Sequence, residues 1–213
     1  MIKDLEEQII RTCRFCDPPD NERILYQTDN FYVMLSLGPI VEGYCLVISK
    51  DHVSCCAGIS KDQQNEFIEL YDKVKSILTD VYGHCICYEH GRAGACLIPI
   101  EGSKHCYHAH MHFVPVSLDL NRIVELEYDP TRIQGFDNFF RIYDDCGRPP
   151  YLYIDDGESN FYVIKEQLRR QYLRYKTASF LGKRHLWNWI EHQGWEIIKS
   201  GFGVLSPHFR KKL

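Results

Sequence analysis

The chain has 213 residues, a formal net charge of -4, 45% apolar side chains and ten cysteines, enough for one domain with a substantial extension and a core that needs no covalent staples. No apolar run approaches the roughly 20 residues that a bilayer span requires, and the first ten residues are acidic where an export signal would be basic. A cytoplasmic protein with reduced thiols and no membrane partner is expected.

Charge is uneven along the chain: residues 165–213 hold 11 Lys+Arg against 3 Asp+Glu, leaving 14 against 26 elsewhere. The basic residues alternate with Leu, Tyr and Trp instead of running together. That pattern fits docking on the acidic remainder, or an anionic substrate, and argues against nucleic acid as the partner.

In chain order, apolar and β-branched runs bounded by turn formers predict strands over residues 31–37 and 44–48. Ser60 and Gln63 have capping-box spacing, and Phe67, Leu70, Tyr71, Val74, Ile77, Leu78 and Val81 follow at three- and four-residue steps, which predicts an amphipathic helix. A strand over 85–88 comes next, then a long loop, 91–107, of the kind that is usually functional. A fourth strand covers 107–116. Beyond Pro115 the pattern weakens until Pro149-Pro150, after which 151–154 reads as a short strand and 161–181 as a long helix closed at Gly182. The last segment carries Trp187, Trp189 and Trp195 and is too aromatic to be a free tail.

The chemistry concentrates in His108-Ala109-His110-Met111-His112. Side chains alternate across a strand, so the three histidines share one face, spaced about 6.5 Å apart, while Ala109, Met111 and Phe113 supply an apolar opposite face. Two chemistries use such a row. The imidazoles can hold a metal ion that activates water, or one can attack phosphorus while its neighbours orient it and protonate the leaving group. Spacing alone does not separate them.

The run His108 to Pro115 resembles the histidine-triad motif. Upstream, Ser36-Leu37-Gly38-Pro39-Ile40-Val41-Glu42-Gly43-Tyr44-Cys45-Leu46-Val47-Ile48-Ser49-Lys50-Asp51-His52 resembles two strands of bacterial members of that family, and Cys13-Arg14-Phe15-Cys16 resembles the Cys-x-x-Cys that opens many of them. The resemblance implies an α+β fold, an antiparallel sheet with packed helices, over residues 1–117. Residues 118–213 would form a mainly helical C-terminal extension packed on it. It implies a nucleotidyl hydrolase or nucleotidyltransferase, in which His110 attacks the α-phosphate of a nucleotide-like ester, anhydride or phosphoramidate and forms a nucleotidyl-histidine. His112 would contact phosphate, where an imidazolium stabilises a departing anion. It also implies a structural zinc ion held by Cys13, Cys16, His52 and His108, an S₂N₂ set suited to closed tetrahedral coordination. A homodimer is common among related proteins.

The match has departures. Ser36 stands where many members carry a ribose-binding aspartate. Glu89-His90-Gly91 replaces an Asn-x-Gly that contacts substrate, and the neighbourhood of Lys104, His105 and Cys106 replaces a Gly-Gln-Ser stretch. Ser36, Glu89, His90, and Ser103 and Lys104 just before the histidine strand are candidate substrate contacts, as are Gln171 and Arg174, which share one face of the expected C-terminal helix. Two rival readings remain at this point: a nucleotide-binding sensor without catalysis, and a hydrolase whose triad itself holds the metal.

Overall fold

The computed structural model describes residues 13–92, 108–166 and 168–210. Eight strands form one sheet in the order β1-β2-β3-β5-β4-β7-β8-β6, with every neighbouring pair antiparallel. Their ranges are β1 Ile24–Gln27, β2 Phe31–Leu35, β3 Cys45–Ser49, β4 Ile86–Gly91, β5 His110–Val114, β6 Thr131–Ile133, β7 Tyr151–Asp155 and β8 Ser159–Val163. The helices are α1 Lys61–Tyr82, α2 Leu120–Val124, α3 Asn138–Asp145, α4 Tyr172–Phe180 and α5 Trp195–Arg210.

The crossover from β3 to β4 through α1 leaves a gap one strand wide, and β5 fills it, pairing with both. The histidine strand is therefore interior and fixed in register on both edges. Period-two alternation sends Phe31, Val33, Cys45, Val47, Cys87, Met111, Phe113, Tyr151, Tyr153 and Phe161 to one side, where α1, α3 and α5 cover them. Tyr32, Met34, Leu46, Ile48, Ile86, Tyr88, Val114, Leu152, Ile154 and Tyr162 face the other side, beneath α2 and α4. Parity places His108, His110 and His112 on this second side.

The α+β class with an antiparallel sheet is as expected, and α1 begins and ends close to its predicted limits. Its capping box does not form. Ser60 makes no side-chain cap, and Gln63 instead reaches Asn30 Oδ1 at 3.1 Å and Asp51 Oδ2 at 2.8 Å. Long-range polar partners outcompete the local one.

The predicted helix 161–181 is corrected at its N-terminal half. Residues 159–163 form β8, because β7 offers an open edge on which their backbone groups pair, and only Tyr172–Phe180 is helical. Spaced apolar residues such as Val163, Ile164 and Leu168 fit either period over so short a run. Gly182, with φ +67, does end the helix, as Lys183 N donates to Ala178 O at 2.8 Å. Between Pro115 and Pro149, where the pattern was weak, lie α2, β6 and α3.

Residues after 118 thus contribute three strands to the same sheet and two helices to the face above the triad. Their attachment to the N-terminal half is close. Gly38 N donates to Gln193 O at 2.8 Å, and Arg174 Nη2 donates to Gly38 O at 2.6 Å. A Cβ on Gly38, whose φ is +66, would lie 2.5 Å from Trp189 Cβ and 2.8 Å from His192 O.

Gly38→Ala is therefore expected to destabilise the fold by roughly 2 kcal/mol or more, combining left-handed strain with a backbone clash. Gly83→Ala, at φ +87 with nothing within 4 Å, serves as the control and should cost about 1 kcal/mol. Urea unfolding followed by tryptophan fluorescence measures both; equal losses would show that contact with residues 189–192 carries no weight.

Candidate functional site

The triad histidines differ in what holds them, and the partners fix their protons. His108 is 3% exposed, and its Nε2 lies 2.6 Å from Ser49 O. A carbonyl only accepts, so Nε2 carries the proton and Nδ1 keeps its lone pair. His110 Nδ1 lies 2.6 Å from the carbonyl of His108. By the same argument its Nδ1 is protonated and the lone pair is on Nε2. Burial lowers the pKa of His110, the positive charge of Arg174 works in the same direction, and the bond to His108 O opposes both.

His112, 8% exposed, is hydrogen-bonded through Nδ1 to Tyr44 Oη at 2.8 Å. It stacks on Tyr88 with ring centroids 4.9 Å apart. Burial pushes its pKa well down, with His110, Arg174 and His90 adding to the effect.

The lone pair of His108 faces a second cluster. Its Nδ1 is 3.4 Å from Cys13 Sγ, 3.5 Å from Cys16 Sγ and 3.3 Å from His52 Nδ1, and the four ligand atoms lie within 4.8 Å of one another. This is an S₂N₂ set, and the Ser49 carbonyl orients its strand histidine as outer partners orient zinc ligands. Burial raises the Cys16 thiol pKa and lowers that of His52, so a dication would supply the charge that a thiolate there needs. Cys13 is disulfide-bonded in this structure; zinc coordination requires it reduced. Phe15, between the two cysteines, packs on His110 at 4.9 Å and on His108 at 5.6 Å, joining the cluster to the triad.

The other predicted site residues divide. Ser36 is 3% exposed, and its hydroxyl donates to Leu37 O at 3.2 Å. His90 is beside His110: its Nε2 is buried with no hydrogen-bond partner among the described residues, and burial together with His110 lowers its pKa to about 4. Glu89 is not brought to the triad. It points to the opposite side of the sheet, accepting from Cys56 N at 2.7 Å and from the Tyr151 hydroxyl.

Arg174 is 5% exposed and donates to the carbonyls of Gly38, Leu186 and Trp187 at 2.6, 3.2 and 3.3 Å. Its guanidinium carbon lies 5.1 Å from the Tyr44 ring centroid. Gln171 precedes α4 with φ 54, and its Oε1 is buried without a partner among the described residues. Ser103 and Lys104 lie outside the described residues. Sequence reading missed Tyr44, Tyr88 and Ser49. Tyr88 was within reach, since it stands opposite His112 in the β4–β5 register, but Tyr44 reaches the triad only through a pairing no local pattern announces.

Residues 11–124, just over half of the 213, match the family described as scavenger mRNA decapping enzyme C-terminal binding. The chain belongs to that family, a histidine-triad family. Similar solved structures include a hypothetical histidine triad nucleotide-binding protein from Sulfolobus tokodaii, 19% identical, covering 64% of this chain and 89% of that one, TM-score 0.40. A histidine triad nucleotide-binding protein from Candida albicans is 18% identical over 64% and 95%, TM-score 0.37, and a zinc-bound histidine triad protein from Mycobacterium smegmatis 20% over 50% and 76%, TM-score 0.38. A comparison with curated proteins gives no match. Among the described residues, no helix is long and apolar enough to cross a membrane.

Glu89 yields a pH prediction. Burial raises its pKa from 4.5 to about 7, against the lowering effect of the hydrogen bonds from Tyr151 and Cys56. An acid raised on folding stabilises fully below its unfolded pKa and loses that contribution as pH rises through the folded value. The chain should therefore lose about 3 kcal/mol between pH 4 and pH 8 from this group. Glu89→Gln should flatten that slope in urea melts taken across the range; an unchanged slope would assign the loss elsewhere.

Proposed function

We propose that this chain is a nucleotidyl hydrolase or nucleotidyltransferase acting through a covalent nucleotidyl-histidine on His110. The observation that carries the reading is the bond from His110 Nδ1–H to the His108 carbonyl, which leaves Nε2 unprotonated and oriented as a nucleophile. In the first step the Nε2 lone pair forms an N–P bond at the α-phosphorus of a nucleotide ester, anhydride or phosphoramidate. The bond to the leaving group breaks with its electron pair, and the leaving group takes up a proton. In the second step water, or another acceptor hydroxyl, attacks the same phosphorus, releases Nε2 and gives up its proton. A nucleotide-phosphate substrate also agrees with the family's description as part of an mRNA decapping enzyme.

The reading in which the triad holds a catalytic metal has less support. The lone pair of His108 faces the cysteines rather than His110, and the Nδ1 atoms of His110 and His112 are engaged by a carbonyl and a tyrosine hydroxyl. We assign Cys13, Cys16, His52 and His108 to a structural zinc ion instead. Bound there, zinc would fix the cysteine loop and so hold Phe15 against His110. Residues 1–117 would carry the chemistry, with residues 118–213 completing the sheet and covering the triad face. A cytoplasmic location suits the reduced thiols that this zinc site needs.

Two measurements test this. Intact-protein mass spectrometry under acid-free conditions, after mixing with nucleotide anhydrides, phosphoramidates and nucleotide sugars, should show a nucleoside monophosphate adduct on wild type and none on His110→Ala. Turnover in the variant should fall by about 10³-fold or more. Tight nucleotide binding with neither adduct nor turnover would make the protein a sensor. Elemental analysis of reduced protein should find one zinc per chain, lost in Cys16→Ser together with thermal stability. Chelation that stops turnover while leaving the fold unchanged would instead make the ion catalytic.

A further inference from the structure

Tyr44 and Arg174 have no part in the attack at phosphorus, yet Tyr44 is buried against the third histidine and Arg174 is buried over the ring of Tyr44. Tyr44 and Tyr88 are 0% and 1% exposed. The Tyr44 hydroxyl lies 2.7 Å from Tyr88 Oη and 2.8 Å from His112 Nδ1. Tyr44 has one proton to give and two neighbours to receive it. An imidazole nitrogen is a much stronger base than a phenol oxygen, and a cation beside Tyr44 strengthens it as a donor. Arg174, fixed by three backbone carbonyls, supplies that cation. Tyr88 then donates to Tyr44, Tyr44 donates to His112 Nδ1, and the remaining imidazole proton is on Nε2.

We propose that Tyr44 and Arg174 are positioning residues that hold His112 as a neutral imidazole protonated on Nε2, so that it meets the substrate phosphate as an uncharged hydrogen-bond donor. The role toward phosphate rests on the nucleotidyl-transfer reading, whereas the tautomer does not.

Among the described residues, the groups that act on His112 are His110 on its own strand, Tyr88 and His90 on β4, Tyr44 ahead of β3 and Arg174 on α4, none of them a carboxylate. Burial and the positive charge of Arg174 both oppose an imidazolium, which replaces the charged form that the family resemblance suggested. A neutral donor keeps its strength across the physiological pH range, as an imidazole held below its usual pKa can. The device depends on the C-terminal segment, since Arg174 belongs to α4, so residues beyond the family match set the protonation of a triad member.

The test is long-range proton–nitrogen NMR on the full, zinc-loaded, reduced protein labelled with ¹⁵N-histidine, with the His112 signal assigned by its absence in His112→Ala. Wild type should show His112 neutral and Nε2-protonated from pH 5 to pH 8. Tyr44→Phe, which keeps the ring, should mix the two tautomers. Arg174→Gln should raise the His112 titration point, and Arg174→Lys should keep it at the wild-type position. Wild-type His112 protonated on Nδ1, or charged near neutral pH, overturns the proposal, as does a titration unmoved by both Tyr44→Phe and Arg174→Gln. Thermal melts identify any Arg174 variant that fails to fold, and the wild-type signal and Tyr44→Phe then decide the matter. Because the tautomer is read without substrate, an absent nucleotidyl adduct would overturn the functional reading and leave this one standing.

Discussion

Two main-chain carbonyls, those of Ser49 and His108, organise the centre of this protein. Each accepts from one triad imidazole, and because a carbonyl cannot donate, each decides which ring nitrogen keeps a lone pair. The first decision turns His108 toward Cys13, Cys16 and His52. The second leaves His110 Nε2 without its proton. Neither carbonyl would be in place if β5 could slip along its neighbours, and a slip of one residue would exchange the histidines for Ala109, Met111 and Phe113. The close packing of those three residues under α1 is therefore a condition for the chemistry on the other face.

The C-terminal half extends the constraint. β7 pairs with β4 along its length, α2 and α4 cover the triad face, and Arg174 ties α4 to residue 38 and to residues 186 and 187. The expected attraction between a basic C-terminal segment and an acidic remainder is present but local. Lys176 pairs with Glu127, while Arg174, the most buried basic side chain among the described residues of this half, satisfies backbone oxygens. An exposed ion pair contributes little, but a buried guanidinium with its donors satisfied by carbonyls fixes geometry.

Burial lowers the pKa of every triad imidazole. A site that keeps its histidines neutral has nucleophiles and metal ligands available at ordinary pH, since both roles need an unprotonated nitrogen. The same desolvation raises Glu89 on the far side of the sheet. One physical cause thus separates a set of neutral bases on one face from a poorly ionised acid on the other.

Periodicity and motif in the sequence determined β2 to β5, four of the five strands of the N-terminal half, the helix α1 between β3 and β4, the shared face of His108, His110 and His112, and a candidate ligand set that the fold gathers within 4.8 Å, but not the edge strand β1. These features repeat at the spacing of one strand or one helix, so neighbouring residues reveal them. Tertiary structure alone decided that residues 159–163 are strand, that Glu89 turns away from the triad, and that Tyr44 reaches His112 with the charge of Arg174 over its ring. Each of these depends on partners distant in sequence: an open sheet edge at β7, a backbone amide at Cys56, and a helix more than 60 residues beyond the histidine it serves. Local pattern records which face a side chain takes along its own element, but not what the chain later places against that face.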